Sequence, residues 1–147
     1  MAAPDPERLA VWRSYLTAHS LLEHALTEAL YTERDLSLVW FEVLNALQLA
    51  GGRVRVMDLA EHLVVSPSSL SRQLSRMEEV ELIRRERSRP DDQRVVVVVL
   101  TKVGRDTWRR ANTTYQRVLK RLFLTKLTES DIASMQRVLS KVIDGVL

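Results

Sequence analysis

Five consecutive valines at positions 95–99 stand in a chain whose other apolar residues recur mostly at helical spacing. That run constrains the fold more than any other feature. β-branched side chains are stiff about χ1 and favour extended backbone. Just before it, Arg89-Pro90-Asp91-Asp92-Gln93 carries turn chemistry, and residues 82–88 supply a second extended segment. One β-hairpin is therefore expected in an otherwise helical chain, giving a mainly α fold with a small β-hairpin wing.

The helical parts follow from spacing. Leu9, Trp12, Leu16, His19, Leu22, Leu26 and Leu30 step by three and four, one stripe of a long helix over residues 6–30. Ser37 is placed to cap a helix over Leu38–Leu49, which is apolar nearly all round (Val39, Trp40, Phe41, Val43, Leu44, Leu47) and so suits the buried centre. Gly51 and Gly52 end it. Residues 53–56 alternate like a very short strand, and 57–63 read as a short helix with Leu59, Ala60 and Leu63 inward. Ser66-Pro67 opens the next helix, which runs to about Val80 with Leu70, Leu74 and Met77 inward. Thr101 caps a long basic helix reaching about Leu124. Thr128 with Asp131 resembles a capping box for the last helix, although Asp is a shorter partner than Glu. There Ile132, Met135, Leu139, Val142 and Val146 form a coiled-coil-like seam, widened by Val138, Ile143 and Leu147.

A length of 147 residues suits a single domain, with residues 6–35 and 102–147 as a helical dimerisation region around a central part, 36–101. Both terminal helices are too apolar on one face for a small monomer, which implies a homodimer. The chain has no cysteine, which removes disulfides, thiolate metal sites and catalytic thiols. No apolar run approaches the roughly 20 residues of a membrane span, and the acidic, Pro-containing start is no signal peptide, so a soluble cytoplasmic protein without membrane contact is expected. The net charge of +3 hides an asymmetry, −4 over residues 1–50 and +6 over residues 102–121, so a polyanion is better received by the second half.

The helix over residues 66–80 carries Ser66, Ser68, Ser69, Arg72, Gln73 and Arg76 away from its apolar face. These are major-groove side chains: Arg pairs with guanine O6 and N7, Gln with adenine N6 and N7, and Ser with bases or phosphates. Amides at the helix start can also hold a phosphate. Glu78, Glu79 and Glu81 cluster at the far end, where they would clear DNA. The hairpin adds Arg84, Arg85, Arg87, Arg89 and Arg94. An Arg at a hairpin tip suits a narrow minor groove, with Asp91 or Asp92 aiming the Arg94 guanidinium through a bidentate pair.

This order of elements is similar to the MarR family of winged helix-turn-helix regulators. Asp92-Gln93-Arg94, then Leu100-Thr101 and Gly104, match the family pattern D-x-R-x5-L-T-x-x-G, and Asp58-Leu59-Ala60 and the stretch 44–52 support it. The resemblance implies a homodimer on a pseudo-palindromic DNA operator, with the helix at 66–80 in the major groove. By position it assigns Arg89, Asp92 and Arg94 to the wing, with Arg94 in the minor groove. It further implies a cleft for a small aromatic or phenolic effector, for which Tyr15, His19, Trp40 and Arg85 are the candidate lining residues. The first helix has no cysteine, which sets aside thiol-based peroxide sensing.

The expected function is a DNA-binding transcriptional regulator, more specifically a repressor, with no cofactor. Two alternatives are a winged-helix module for protein–protein assembly and a metal-responsive regulator built on His19/Glu23 and His24/Glu28. The Ser/Gln/Arg stripe is too polar for the first. The second has only two-ligand helical pairs, and no metal site is assigned. Asp58, His62 and Ser66 recur every four residues like a catalytic set, but the turn before Ser66 breaks their register and no Gly-rich loop exists, so no enzyme is expected.

Overall fold

The computed structural model describes residues 3–89 and 92–147. In chain order the elements are α1 (Pro6–Arg34), α2 (Leu38–Leu49), β1 (Arg53–Arg55), α3 (Val56–Leu63), α4 (Pro67–Glu79), β2 (Ile83–Arg89), β3 (Asp92–Leu100), α5 (Lys102–Leu122) and α6 (Glu129–Val146), with a 3-10 turn at Leu124–Lys126 before α6. The fold is mainly helical with an antiparallel wing sheet, as the valine run and the helical stripes predict. The chain forms two compact units: the N-terminal stretch through Leu26 with Gln116–Leu147, and Thr27–Tyr115.

The second unit holds the helix pair and the wing. Its core joins Phe41, Leu44 and Leu47 of α2 to Leu59 of α3, Leu70, Leu74 and Met77 of α4, and Ile83 and Val98 of the sheet, all buried. Ser37 caps α2, its Oγ accepting from the Trp40 amide at 3.2 Å. Two glycines in left-handed backbone, φ 84° at Gly51 and 90° at Gly52, turn the chain into β1. The strand order β1-β3-β2 explains the valine run: β3 is the central strand, with Val98 opposite both Val54 and Arg85. A strand paired on both edges with buried side chains needs apolar, β-branched residues along its length. α5 is tied to α2 by the Phe41–Tyr115 stack (4.5 Å) and by Trp108 Nε1 donating to Asn45 Oδ1 (3.0 Å). The stack half-buries Tyr115, and that burial, reinforced by Glu42, raises the phenol pKa above its ordinary value.

The base of the wing is a tight joint. Leu82 N donates to Met77 O at the end of α4, the Leu82 carbonyl accepts from Thr101 N (3.3 Å), and the Thr101 hydroxyl proton is shared between the Glu81 carbonyl (2.6 Å) and the Leu82 carbonyl (2.9 Å). The same hydroxyl accepts from Gly104 N (2.9 Å), capping α5. Gly104 is buried, and a Cβ there would collide with the Leu82 carbonyl and the Leu100 side chain. The L-T-x-x-G pattern is thus a packing requirement at the point where α4, the wing and α5 meet.

The first unit is simpler. Trp12 stacks on Tyr15 at 5.8 Å, and Tyr15 lies 6.4 Å from His19. α6 starts with a full capping box, the shorter Asp131 serving despite its length. Asp131 Oδ2 accepts from Thr128 N (2.8 Å) and Oγ1 (2.7 Å), bonds that lower its pKa.

Several expectations need correction. α1 runs one turn past Leu30 to Arg34, held there by Arg34 Nε donating to the buried Thr114 hydroxyl (2.9 Å). Val56 opens α3 instead of ending the strand, because β1 has a partner only for residues 53–55. Leu63 is half-buried, and α5 stops at Leu122. α2 is not buried all round, since Val39 and Leu49 are exposed.

Two substitutions test this account by urea denaturation. Gly104→Ala should cost about 3 kcal/mol, because a backbone carbonyl cannot move aside as a side chain can. Val64, a β-branched residue at φ 55° and 90% exposed, holds the α3–α4 turn in left-handed backbone. Val64→Gly should therefore stabilise by about 0.5–1 kcal/mol, relief of backbone strain exceeding the entropic cost of glycine.

Candidate nucleic-acid interface

α4 is an amphipathic helix with a polar outer face. Ser66 begins it, its Oγ accepting from the Ser69 amide (3.2 Å) and lying 3.3 Å from Ser68 Oγ. Pro67 fits the first turn, where no backbone donor is needed. Burial of Leu70, Leu74 and Met77 fixes the helix rotation, leaving Ser66, Ser68, Arg72 and Arg76 exposed and Ser69 half-buried. Two guanidinium groups one turn apart, with hydroxyls toward the N-terminal end, make a surface of donors and cations.

Gln73 differs from its neighbours on that stripe. It is half-buried, and its Oε1 accepts from Trp40 Nε1 at 2.9 Å. Trp40, Gln73 and Arg76 line one pocket of about 440 Å3 with Tyr31, Asp35, Ser37 and Val39. On another side of α4, Arg85 at the start of the wing is bound back to the helix. Its amide donates to Glu78 Oε2 (2.7 Å), and its Nη2 donates to Ser75 Oγ (3.0 Å) and Glu78 Oε1 (3.2 Å). Arg85 lines a different pocket, about 310 Å3, with Arg55, Asp58 and Ser71. Further along β2, Glu86 pairs with Arg84 (2.8 Å) and Arg53 (3.0 Å), and these hydrogen bonds hold its carboxyl below the ordinary value of 4.5.

A sequence model described as the MarR family matches residues 34–94, the span from the end of α1 through the wing tip. Among solved structures, the chain is similar to AbsC, a MarR family transcriptional regulator from Streptomyces coelicolor (29% identity, TM-score 0.91, covering 99% of this chain and 98% of that one). It is also similar to Sco3205, a MarR family transcriptional regulator from the same organism, solved in complex with DNA (28% identity, TM-score 0.89, 99% and 94% covered). The family model, over residues 34–94, and these solved structures point to the same family, the MarR family. A third structure is the organohalide-sensing regulator RdhR-CbdbA1625 in its 2,4-dichlorophenol-bound form (25% identity, TM-score 0.81, 99% and 87% covered). A comparison with curated proteins finds no match. The chain has the winged helix-turn-helix fold of these MarR family transcriptional regulators, one of them solved in complex with DNA.

Within the MarR fold the remaining expected residues fall as follows. Arg89 and Asp92 pair in register at the ends of β2 and β3, and Arg94 lies in β3. Their side chains, and with them the proposed Asp–Arg94 pair, lie outside the described residues. Trp40 and Arg85 line different pockets, and Tyr15 and His19 belong to the other unit. Tyr15 is exposed beside Trp12, and His19 Nδ1 is 3.8 Å from Glu23 Oε2 on an exposed surface. Among the described residues no three His, Asp or Glu side chains converge as metal ligands, and no helix is long and apolar enough to cross a membrane. Sequence reasoning missed the partners of Gln73 and Arg85. Glu78 seemed placed merely to clear DNA, yet it ties α4 to the wing. Only the pairing of opposite charges seven residues apart across a turn hinted at this.

The Glu86 pairing is checked by a carbon-13 NMR titration of its carboxyl. The midpoint should lie below 4.5, so the pairing's stabilisation is complete above that value and lost as pH falls through the lowered midpoint. Arg84→Ala, removing the largest cause, should move the midpoint up toward 4.5.

Proposed function

We propose that the chain acts in the cytoplasm as a homodimeric, sequence-specific repressor whose hold on a pseudo-palindromic operator is weakened by a small aromatic or phenolic ligand. The observation that carries the DNA reading is the exposed Ser68, Arg72 and Arg76 on α4, opposite a face buried by Leu70, Leu74 and Met77. α4 enters the major groove, Arg72 and Arg76 contacting bases or phosphates, and Arg89 and Arg94 on the wing reach the adjacent minor groove. The DNA complex of Sco3205 supports the reading. An assembly module would show a more apolar outer face on α4.

Dimerisation is supported by the terminal helices. Trp12 is 55% exposed and Val142 57%, and Leu16, Leu139, Ile143 and Val146 are exposed beside them, more apolar surface than a small monomer leaves in water. The ligand reading is supported by the 2,4-dichlorophenol-bound relative. The Trp40 pocket adds the indole, the Tyr31 ring and the Arg76 guanidinium, a combination suited to a phenolate.

Selection of bound sequences from a random duplex library tests this. A pseudo-palindrome with half-sites about one helical turn apart is expected, and sequence-blind enrichment would overturn the reading. On the selected duplex, Arg72→Ala and Arg76→Ala should each cost about 1–3 kcal/mol, and affinity should fall about a thousandfold or more between 50 and 200 mM salt. Sedimentation should show a dimer that the double substitution Val142→Glu, Val146→Glu converts to monomer.

A further inference from the structure

We propose that Glu78 is a positioning residue for the wing: by gripping Arg85 from α4 it sets the direction in which the hairpin reaches the minor groove, while the base preference of α4 stands without it. This rests on the DNA-binding reading above and deepens it.

The grip is satisfied on both sides. Arg85 offers three N–H donors to α4: its amide meets Glu78 Oε2 at 2.7 Å, and its Nη2 meets Ser75 Oγ at 3.0 Å and Glu78 Oε1 at 3.2 Å. The two protons on Nη2 thus have one acceptor each. Ser75 Oγ is itself oriented. Its proton goes to the Ser71 carbonyl (3.0 Å), which can only accept, so a lone pair is left for Arg85. Both carboxylate oxygens of Glu78 and the Ser75 hydroxyl are engaged on one wing residue.

The place of Arg85 in the sheet gives this grip a mechanical meaning. In the order β1-β3-β2, β2 is an edge strand, with no further strand on its outer side. Glu78 takes that strand's place at the Arg85 amide. β1 holds the other side of the sheet at Val97–Val99, and α4 holds this one. The joint at Leu82 fixes where the hairpin starts, and Arg85 lies three residues, roughly 10 Å, further along. A hairpin held at one point can swing about it, and a second point removes that freedom. The strands beyond, out to Arg89 on β2 and Arg94 on β3, take their direction from the two. α4 itself has no call for a carboxylate here. Glu78 lies in the last turn, where the helix dipole disfavours negative charge, and alanine is the better helix former.

The test measures affinity for the duplex that the wild type selects, with folding of each variant checked by urea denaturation. Glu78→Ala should weaken binding about tenfold. In a protein whose wing lacks its arginines (Arg89→Ala, Arg94→Ala) the same change should cost less than about twofold, because nothing remains to be positioned. Added to Arg72→Ala it should again cost about tenfold. Library selection with Glu78→Ala should return the wild-type preferences at the positions that Arg72→Ala and Arg76→Ala flatten. A role confined to holding α4 together would instead weaken binding equally with and without the wing arginines. Arg85→Met keeps the aliphatic stem and loses the guanidinium. It should show the same pattern from the wing side, so it decides the matter if Glu78→Ala folds poorly. Wild-type affinity in Glu78→Ala, an equal loss in the protein without wing arginines, or changed preferences at the α4 positions would each overturn the proposal. Full affinity in the protein without wing arginines would overturn the wing reading, and failure of the wild type to select any sequence the DNA reading; this inference falls with either.

Discussion

The arrangement depends on one carbonyl group. Leu82 O receives both the amide and the hydroxyl of Thr101 and lies against the bare Cα of Gly104, while Leu82 N closes the end of α4 on Met77 O. Four elements converge there: the last turn of α4, the two long wing strands, whose base pairs Ile83 with Leu100, and the first turn of α5. The bonds there satisfy helix-end groups that would otherwise lack partners, the Met77 carbonyl at the end of α4 and the Gly104 amide at the start of α5. Because glycine lets the backbones approach closely, the joint fixes the wing against α4 and α5 with little freedom to shift.

From this joint the functional surface follows. α4 is held from below by Leu70, Leu74 and Met77, and two polar attachments fix it further. Trp40 grips Gln73, and Arg85 grips Ser75 and Glu78. A helix fixed on three sides presents Ser68, Arg72 and Arg76 in a defined direction. The base readout proposed for α4 requires such a fixed direction, since hydrogen bonds lose strength steeply with angle. The long side chains on the exposed face keep the adaptability that phosphate contacts allow.

Legibility in the sequence followed the range of the interactions. Ser37, Ser66 and Thr128 were readable as caps because a cap and its partner lie within three residues, and the stripes of α4 and α6 because helical period is local. The valine run announced a strand, but its central place between β1 and β2 did not, since three residues at 53–55 give little sign that they will pair with 97–99. The L-T-x-x-G pattern was recognisable as a family signature, and its physical reason needed the Leu82 carbonyl, some twenty residues away in sequence. Trp40–Gln73 has no sequence sign for the same cause, and Arg85–Glu78 only the faint one of opposite charges across a turn. Each joins residues whose meeting depends on how two elements pack, so the sequence presents Gln73 as a base reader and Arg85 as a wing arginine and effector-lining candidate.

The central claim is that the exposed face of α4, with the wing, is where this chain meets DNA. Nitrogen-15 NMR of the protein titrated with its selected duplex locates the contact directly. The account predicts that the largest shifts fall on the amides of residues 66–76 and on the arginine side chains of α4 and the wing, with the core of α2 undisturbed. Shifts concentrated instead on the basic face of α5, with α4 unchanged, would contradict it.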